Sequence, residues 1–172
     1  NPASNGVGSV TSMPAGIDCG VDCTETVLAG TPMVLTAVAG ANSVFAGWTG
    51  SCSGTGLCSL TVNAAASVVA RFNLVTYTLT VNKAGNGTGT VVSNPTGLNC
   101  GTTCATQGAA FNVGQSVILT ATPATNASFT GWSGGGCTGT GPCTTTVAAA
   151  TAVTATFTLN TYPLTVVKAG NS

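Results

Sequence analysis

Eight cysteines are the residues of this chain best suited to do chemistry. They form Cys-x3-Cys and Cys-x5-Cys motifs, with four cysteines in each half of the 172 residues: Cys19, Cys23, Cys52, Cys58, Cys100, Cys104, Cys137 and Cys143. Structural zinc favours Cys-x2-Cys or Cys-x4-Cys spacing, often with histidine, and this chain contains no histidine. The even number of cysteines in a small repeated unit favours disulfides and an oxidising compartment outside the cytosol.

The sequence leaves the pairing of these cysteines open. Local pairing would join the two cysteines of each motif, and each small closed loop would add about 2 kcal/mol through loop entropy. Pairing across the two motifs of one half is the alternative, because spacing does not determine connectivity. In both cases we expect all eight cysteines to form disulfides, and we expect no metal and no cofactor.

Acidic residues are the second set of candidates for chemistry. Asp18, Asp22 and Glu25 are the only acids, and they could begin a calcium site. Their equivalents in the second half are much weaker ligands, so a solvated loop is the better interpretation: Asn99, Thr103 and Thr106. Without histidine, and without a carboxylate after residue 25, the chain has no Ser-His dyad and its second half has no pair of carboxylates for acid–base catalysis. We predict that it is not an enzyme.

The composition excludes two classes of partner. Only 3% of the residues are charged and the formal net charge is zero, whereas a typical soluble domain has about 25% charged residues. Without a basic patch we expect no binding to nucleic acid, and without an apolar run of about 20 residues we expect no insertion into a membrane. A surface with so little charge offers little repulsion against association between chains.

The motifs around the cysteines occur twice, which indicates a repeat. The segment 45–58, with its Gly-Trp pair and Gly-rich loop, recurs as 129–143, and residues 5–20 align without a gap on 86–101. Self-similarity at a fixed period is the signature of a repeat architecture. We predict two modules, 1–75 and 76–160. The second has three extra residues after Cys104 and one between Trp132 and Cys137, and we expect these insertions in surface loops.

Each module is predicted to be all-β, with about six short strands and no sizeable helix. The segments between the loops are short, rich in Val, Thr, Ile and Phe, and bounded by Gly, Pro, Asn and Ser. Residues 77–81 alternate apolar and polar side chains, an Asn-Gly turn signal follows at 86–87, and residues 88–93 resemble a returning strand. This pattern predicts a hairpin of 77–81 with 88–93.

The large aromatic side chains have two interpretations. Trp48 and Trp132, each preceded by a phenylalanine, could form a platform on which sugars stack. Large aromatics that recur on strand positions are more often part of the core, and we predict this role for six residues: Phe45, Trp48, Phe72, Phe129, Trp132 and Phe157.

The repeat is out of frame with the two ends of the sequence. Residues 161–171 repeat 76–86 and therefore resemble the first strand of a third module, which we assign to 161–172. The first module lacks that same strand. The sequence is then either an excerpt of a longer array or a subunit whose residues 161–170 complete the next copy by strand addition. The apolar residues of this assembly strand are Tyr162, Leu164 and Val166.

The ordered motifs resemble a known family. They are Asn-Gly-x-Gly-x-Val-x-Ser, Cys-Gly-x-x-Cys, Val-x-Leu-Thr-Ala, Phe-x-Gly-Trp-x-Gly, Cys-x-Gly-Thr-Gly-x-Cys and Val-x-Ala-x-Phe. This set resembles the divergent internalin-type B-repeat modules of bacterial secreted and surface proteins. The resemblance implies a small β-rich module of β-grasp or sandwich-like form, used in stalks, spacers and adhesive surface structures, and it implies no catalytic residues.

Three functions are therefore weighed. The first is a non-catalytic structural unit of an extracellular bacterial surface fibre or adhesin stalk. Its partners would be copies of itself, head to tail, or flanking repeats of the same chain. The second is an extracellular carbohydrate-binding or adhesion module, whose partner would be a host or matrix glycan or protein. The third, an enzyme, has no residues to support it.

Overall fold

The structure is a computed structural model that describes residues 5–170, so residues 1–4 and 171–172 of the predicted modules lie outside it. Contacts divide the chain into two compact units, with the boundary between Thr76 and Tyr77. The described residues form strands and contain no helix, which confirms the all-β prediction. Within this described part, no helix is long and apolar enough to span a membrane.

The first unit has six strands. They are β1 (Gly8–Met13), β2 (Asp18–Cys19), β3 (Thr31–Ala39), β4 (Ser43–Gly50), β5 (Cys58–Val62) and β6 (Val68–Leu74). Four of them form an antiparallel sheet of order β2-β1-β3-β5, and β4 and β6 form a separate antiparallel pair.

The second unit has eight strands. They are β7 (Thr76–Ala84), β8 (Gly89–Asn94), β9 (Asn99–Cys100), β10 (Thr106–Asn112), β11 (Ser116–Pro123), β12 (Ala127–Ser133), β13 (Cys143–Thr146) and β14 (Thr151–Leu159). One four-stranded sheet has the order β10-β7-β14-β12 and the other has the order β13-β11-β8-β9. The pairing of β7 with β14 is parallel.

The two sheets of the second unit enclose one core. Leu79 and Val81 on β7 and Phe157 on β14 are fully buried together with Val91 on β8 and Leu119 on β11, which belong to the opposite sheet. Inward residues alternate with outward ones along each strand, as the pleat of a half-buried sheet requires. The second unit is therefore a small β-sandwich.

The predicted hairpin of 77–81 with 88–93 is wrong. Both segments are strands, but β7 and β8 belong to different sheets. Both edges of β7 are already occupied, by β10 on one side and β14 on the other, so the chain crosses to the second sheet after residues 85–88. The Asn-Gly signal marks the change of direction but not the pairing partner.

The prediction of a surface loop after Cys104 is also corrected. The longer connection of the second unit contains the edge strand β10, which pairs in the sheet beside β7. Its sequence, Thr-Gln-Gly-Ala-Ala-Phe-Asn, is poor in β-branched residues, so it carries little local strand signal. Residues 106–112 form a strand because they pair with the free edge of β7. Local sequence does not show that this edge is available.

Candidate functional site

The structure joins the two cysteines of each motif. The bonds are Cys19–Cys23, Cys52–Cys58, Cys100–Cys104 and Cys137–Cys143. Each unit thus contains two local disulfides, and the described residues include no free cysteine. Among these residues there is also no cluster of three or more His, Cys, Asp or Glu side chains that could hold a metal ion.

Each Gly-rich disulfide loop folds over a buried tryptophan. In the second unit the indole Nε1–H of Trp132 donates to the carbonyl of Gly141 at 2.7 Å, and its backbone N–H donates to Gly139 at 2.9 Å. In the first unit Trp48 makes the same two bonds, to Gly56 at 2.7 Å and Gly54 at 2.8 Å. These bonds satisfy the polar atom of each ring while the ring itself is buried.

The tryptophans belong to compact aromatic clusters inside each unit. Phe129 contacts Trp132 edge to face at 5.0 Å between ring centroids and lies 5.3 Å from Phe157. The equivalent trio of the first unit, Phe45, Trp48 and Phe72, has nearly the same geometry. Trp48 is 4% exposed and Trp132 5%, so neither ring presents a face on which a sugar could stack.

The three acidic residues are exposed: Asp18 begins β2, and Asp22 and Glu25 lie in the segment that follows it. Asp22 accepts hydrogen bonds from the backbone N–H and the hydroxyl of Thr24, and Glu25 accepts one from the backbone N–H of Thr26. Local bonds of this kind are typical of turn residues. They support the interpretation of a solvated loop.

The first unit contains an open groove of about 850 Å³. We call it the strand groove. Its floor is apolar and includes Val10, Leu35, Trp48, Leu60, Val68 and Phe72, and its rim includes residues 24–27 and 63–67. Within the described residues β6 pairs with β4 alone, so the edge of β6 beside this groove carries unpaired backbone N–H and C=O groups.

In the second unit a strand occupies the equivalent place. Phe72 corresponds to Phe157 and Val68 to Val153, so β6 is the counterpart of β14. β7 lies along β14 in parallel register, with Leu79 opposite Thr151 and Val81 opposite Val153. Leu79, Val81, Val153 and Phe157 are all fully buried. The strand groove is thus the space that β7 fills in the second unit.

The comparison with known families decides what the two units are. The family model described as "Divergent InlB B-repeat domain" matches twice, over residues 4–76 and 77–161. The chain belongs to the divergent InlB B-repeat family. This membership indicates a repeat module of bacterial surface proteins. No curated protein and no solved structure matches the chain.

The two B-repeats differ in the completeness of their cores. Fifteen buried residues form the core cluster of the second B-repeat, whereas five form that of the first: Val10, Leu35, Trp48, Cys58 and Phe72. Residues 24–29 of the first B-repeat, which stand where β10 stands in the second, form no strand. Both differences adjoin the strand groove, where the described residues of the first B-repeat supply no counterpart of β7.

The sequence-predicted assembly strand follows the second B-repeat and pairs with nothing in the described part of the chain. Residues 160–170 have no regular secondary structure. The side chains of Tyr162, Leu164 and Val166 are 75%, 90% and 84% exposed. In β7 the equivalents of the last two, Leu79 and Val81, are fully buried. The same apolar pattern therefore occurs once in a core and once in solvent.

Sequence reasoning missed the function of Lys83 at the end of β7. Its Nζ donates to the carbonyls of Gly89 at 2.9 Å and Thr102 at 3.1 Å, and it also donates to the carbonyl of Gly101. Partial burial lowers the pKa of this ammonium group. The repetition of Lys83 as Lys168 was visible in the sequence, but three backbone carbonyls that converge on one point leave no sequence signal.

Proposed function

We propose that the chain is a non-catalytic structural repeat unit of an extracellular bacterial surface fibre or adhesin stalk. Copies assemble head to tail when residues 161–170 of one copy enter the strand groove of the next. The observation that carries this proposal is the strand groove itself. It has the place, the apolar floor and the open backbone edge that accept β7 in the second B-repeat.

The second B-repeat supplies a template for the docked strand. By that template Leu164 lies opposite Ala66, and Val166 lies opposite Val68 in parallel pairing. Burial of these two side chains contributes about 1.5–3 kcal/mol each. The strand also gains backbone hydrogen bonds along β6 and, on its other side, along residues 24–29. Such β-augmentation derives its affinity from the main chain and its specificity from alternate side chains.

The geometry of this contact supports a fibre. The donor lies after the second B-repeat and the acceptor lies in the first, so the two surfaces of the contact differ. Head-to-tail contacts between unlike surfaces produce open filaments whenever the rotation between copies does not close a ring. The scarcity of charge lowers the repulsion between neighbouring copies. Two disulfides in each B-repeat support an extracellular location.

Deletion of the donor strand tests the proposal. The oxidised full chain and a chain without residues 161–172 are compared by electron microscopy and by light scattering after size exclusion. We expect fibres only from the full chain, and a folded monomer from the deletion. Fibres of unchanged amount from the deletion would disprove the proposal. A full chain that stays monomeric while its own residues 161–170 are protected from hydrogen exchange would show closure within one copy instead.

A free peptide provides a matched control. The peptide of residues 161–170 should bind the deletion chain and should cap growing fibres of the full chain. A peptide of the same length with Leu164 and Val166 both replaced by Asn keeps the backbone but lacks the buried side chains, and it should do neither. Equal capping by both peptides would show that the strand groove does not recognise this sequence.

A further inference from the structure

We propose that Lys168 sets the register and depth of the docked strand by placing its ammonium group on three backbone carbonyls of the neighbouring copy, those of Gly8, Gly20 and Val21. This inference rests on the proposed function and names the residue that makes the contact specific. The proposed site is a carbonyl cage on the first B-repeat, formed by the first residue of β1 and by the turn that follows β2.

The second B-repeat contains the occupied form of the cage. Lys83 lies on the same side of β7 as Leu79 and Val81, two residues beyond the last fully buried position. Its Nζ reaches the carbonyls of Gly89, Gly101 and Thr102. An ammonium group has three donors and no acceptor, so three carbonyls satisfy it completely.

The first B-repeat has main-chain carbonyls at the three equivalent positions. Gly8, Gly20 and Val21 are the equivalents of Gly89, Gly101 and Thr102 in the gap-free alignment. The strands that position them share one register, since Val10 pairs with Cys19 in the first B-repeat as Val91 pairs with Cys100 in the second. The turn after β2 has its own hydrogen bonds, since the N–H groups of Val21 and Asp22 donate to the carbonyl of Asp18. Because all three acceptors are main-chain atoms, the change from Thr102 to Val21 removes none of them.

The apolar side chains of the donor strand do not define the register by themselves. Strand side chains alternate with period two, so a shift by two residues keeps the same face toward the groove. A shift toward the acceptor core would place Lys168 at the position of a fully buried valine, where a charged group is strongly disfavoured. A shift in the opposite direction would remove the ammonium from its three acceptors. Lys168 therefore disfavours both shifts.

Cysteine cross-linking between two copies measures the register directly. In the template Val69 lies opposite Val167, and their equivalents Thr154 and Asn82 alternate with the buried Val153 and Val81. The in-register experiment mixes V69C chains with V167C chains. The off-register experiment mixes R71C chains with V167C chains, whose cysteines would pair only after a shift by two residues.

A disulfide distinguishes the two registers by distance. Directly opposite residues on neighbouring strands, which are about 4.8 Å apart, can be joined by a disulfide, whereas diagonal residues about 7–8 Å apart are beyond its reach. Mass spectrometry of tryptic or chymotryptic peptides quantifies each product.

The two mixtures are then repeated with Lys168→Met, Lys168→Arg or Thr165→Met in the V167C chain. With Lys168 we expect the in-register product to dominate. Lys168→Met should lower the ratio of in-register to off-register product by about tenfold, because charge-assisted hydrogen bonds are lost. Lys168→Arg should retain part of the preference, and Thr165→Met, on the outward face, should retain all of it.

The outcomes separate this inference from the proposed function. If Lys168→Met cross-links with the same ratio and yield as the parent, the carbonyl cage does not set the register, although strand docking stands. If neither mixture gives a cross-link with Lys168 in place, strand docking itself is wrong. If Lys168→Met and Thr165→Met lower the ratio equally, the effect belongs to the added methionine and the inference fails.

Discussion

Val81 lies opposite Val153 in the parallel pair of β7 and β14, and both side chains are fully buried. The first B-repeat contains the acceptor half of this contact in Val68, and residues 161–170 contain the donor half in Val166. The part of the chain that the structure describes thus shows a strand seated in its groove, an equivalent groove that none of these residues fills with a strand, and an equivalent segment that is exposed.

The first prediction concerns a substitution on the inward face of the donor strand, residues 161–170. Leu164 corresponds to the fully buried Leu79, so Leu164→Asn would bury an amide without hydrogen-bond partners and remove most of an apolar contact. We expect about 3 kcal/mol of lost affinity, which is roughly a hundredfold. Sedimentation or light scattering of the full chain over a range of concentrations measures the shift in assembly.

A matched control for this variant lies three residues away. β7 carries Asn82 where the donor strand carries Val167, so Val167→Asn introduces the same amino acid on the outward face and reproduces β7 itself. We expect assembly within about twofold of the parent chain. Equal loss in the two variants would show that the groove does not distinguish the faces of the strand.

The segment 24–29 should become ordered when the donor strand docks. In the second B-repeat β10 pairs in the sheet beside β7, whereas the equivalent residues of the first B-repeat form no strand although they line the groove. A docked strand offers a second hydrogen-bonding edge to this segment. We expect the amides of residues 25–28 to exchange at least tenfold more slowly when the peptide of 161–170 binds the chain without residues 161–172.

Protection confined to β6 would contradict this prediction. It would mean that the strand joins the sheet as an edge and not as a central strand. The amides of β11, which lie in the second B-repeat and already pair on both sides, provide the internal reference for unchanged exchange.

Local sequence was sufficient to identify most strands of the second B-repeat, but it did not show which strands pair with each other. Alternation in residues 77–81 and the β-rich segments between Gly and Pro gave six of the eight strands of the second B-repeat, because local pattern and final burial agree there. The partner of β7 could not be read from the Asn86-Gly87 signal, because β14 lies about 70 residues away and long-range pairing leaves no local mark. β10 was missed for the same reason.

The sequence identified the segments that take part in the site, but it did not give their three-dimensional arrangement. The repetition of 76–85 at 161–170, without such a segment in residues 1–75, follows from the sequence alone. The open groove, the unordered segment 24–29 and the carbonyl cage around Lys83 required coordinates, because each is formed by backbone atoms of several strands. Asp18, Asp22 and Glu25 were visible in the sequence, and the structure places them, exposed, on β2 and the segment after it, without a metal-binding cluster among the described residues.

The two B-repeats should unfold separately, with the first the less stable. Its buried cluster has five residues against fifteen, and its groove exposes an apolar floor. Calorimetry of the oxidised chain without residues 161–172 should give two transitions. The peptide of 161–170 at a hundred times its dissociation constant should stabilise the first B-repeat by about 2.7 kcal/mol, which raises only the lower transition, by about 11–22 °C. A single transition that the peptide leaves unchanged would contradict this account.

The hydrogen bond from each tryptophan indole to its disulfide loop should stabilise only the B-repeat that contains it. Trp132→Phe removes the donor to the Gly141 carbonyl and leaves space in a core where the ring is 5% exposed. The unpaired carbonyl and the lost packing together cost about 2–3 kcal/mol. We expect the higher calorimetric transition to fall by more than 8 °C, while the lower one stays in place. Trp48→Phe is the reciprocal control, because it removes the equivalent bond to Gly56 and should lower the first B-repeat alone. If either variant moves both transitions, the two B-repeats are not independent folding units.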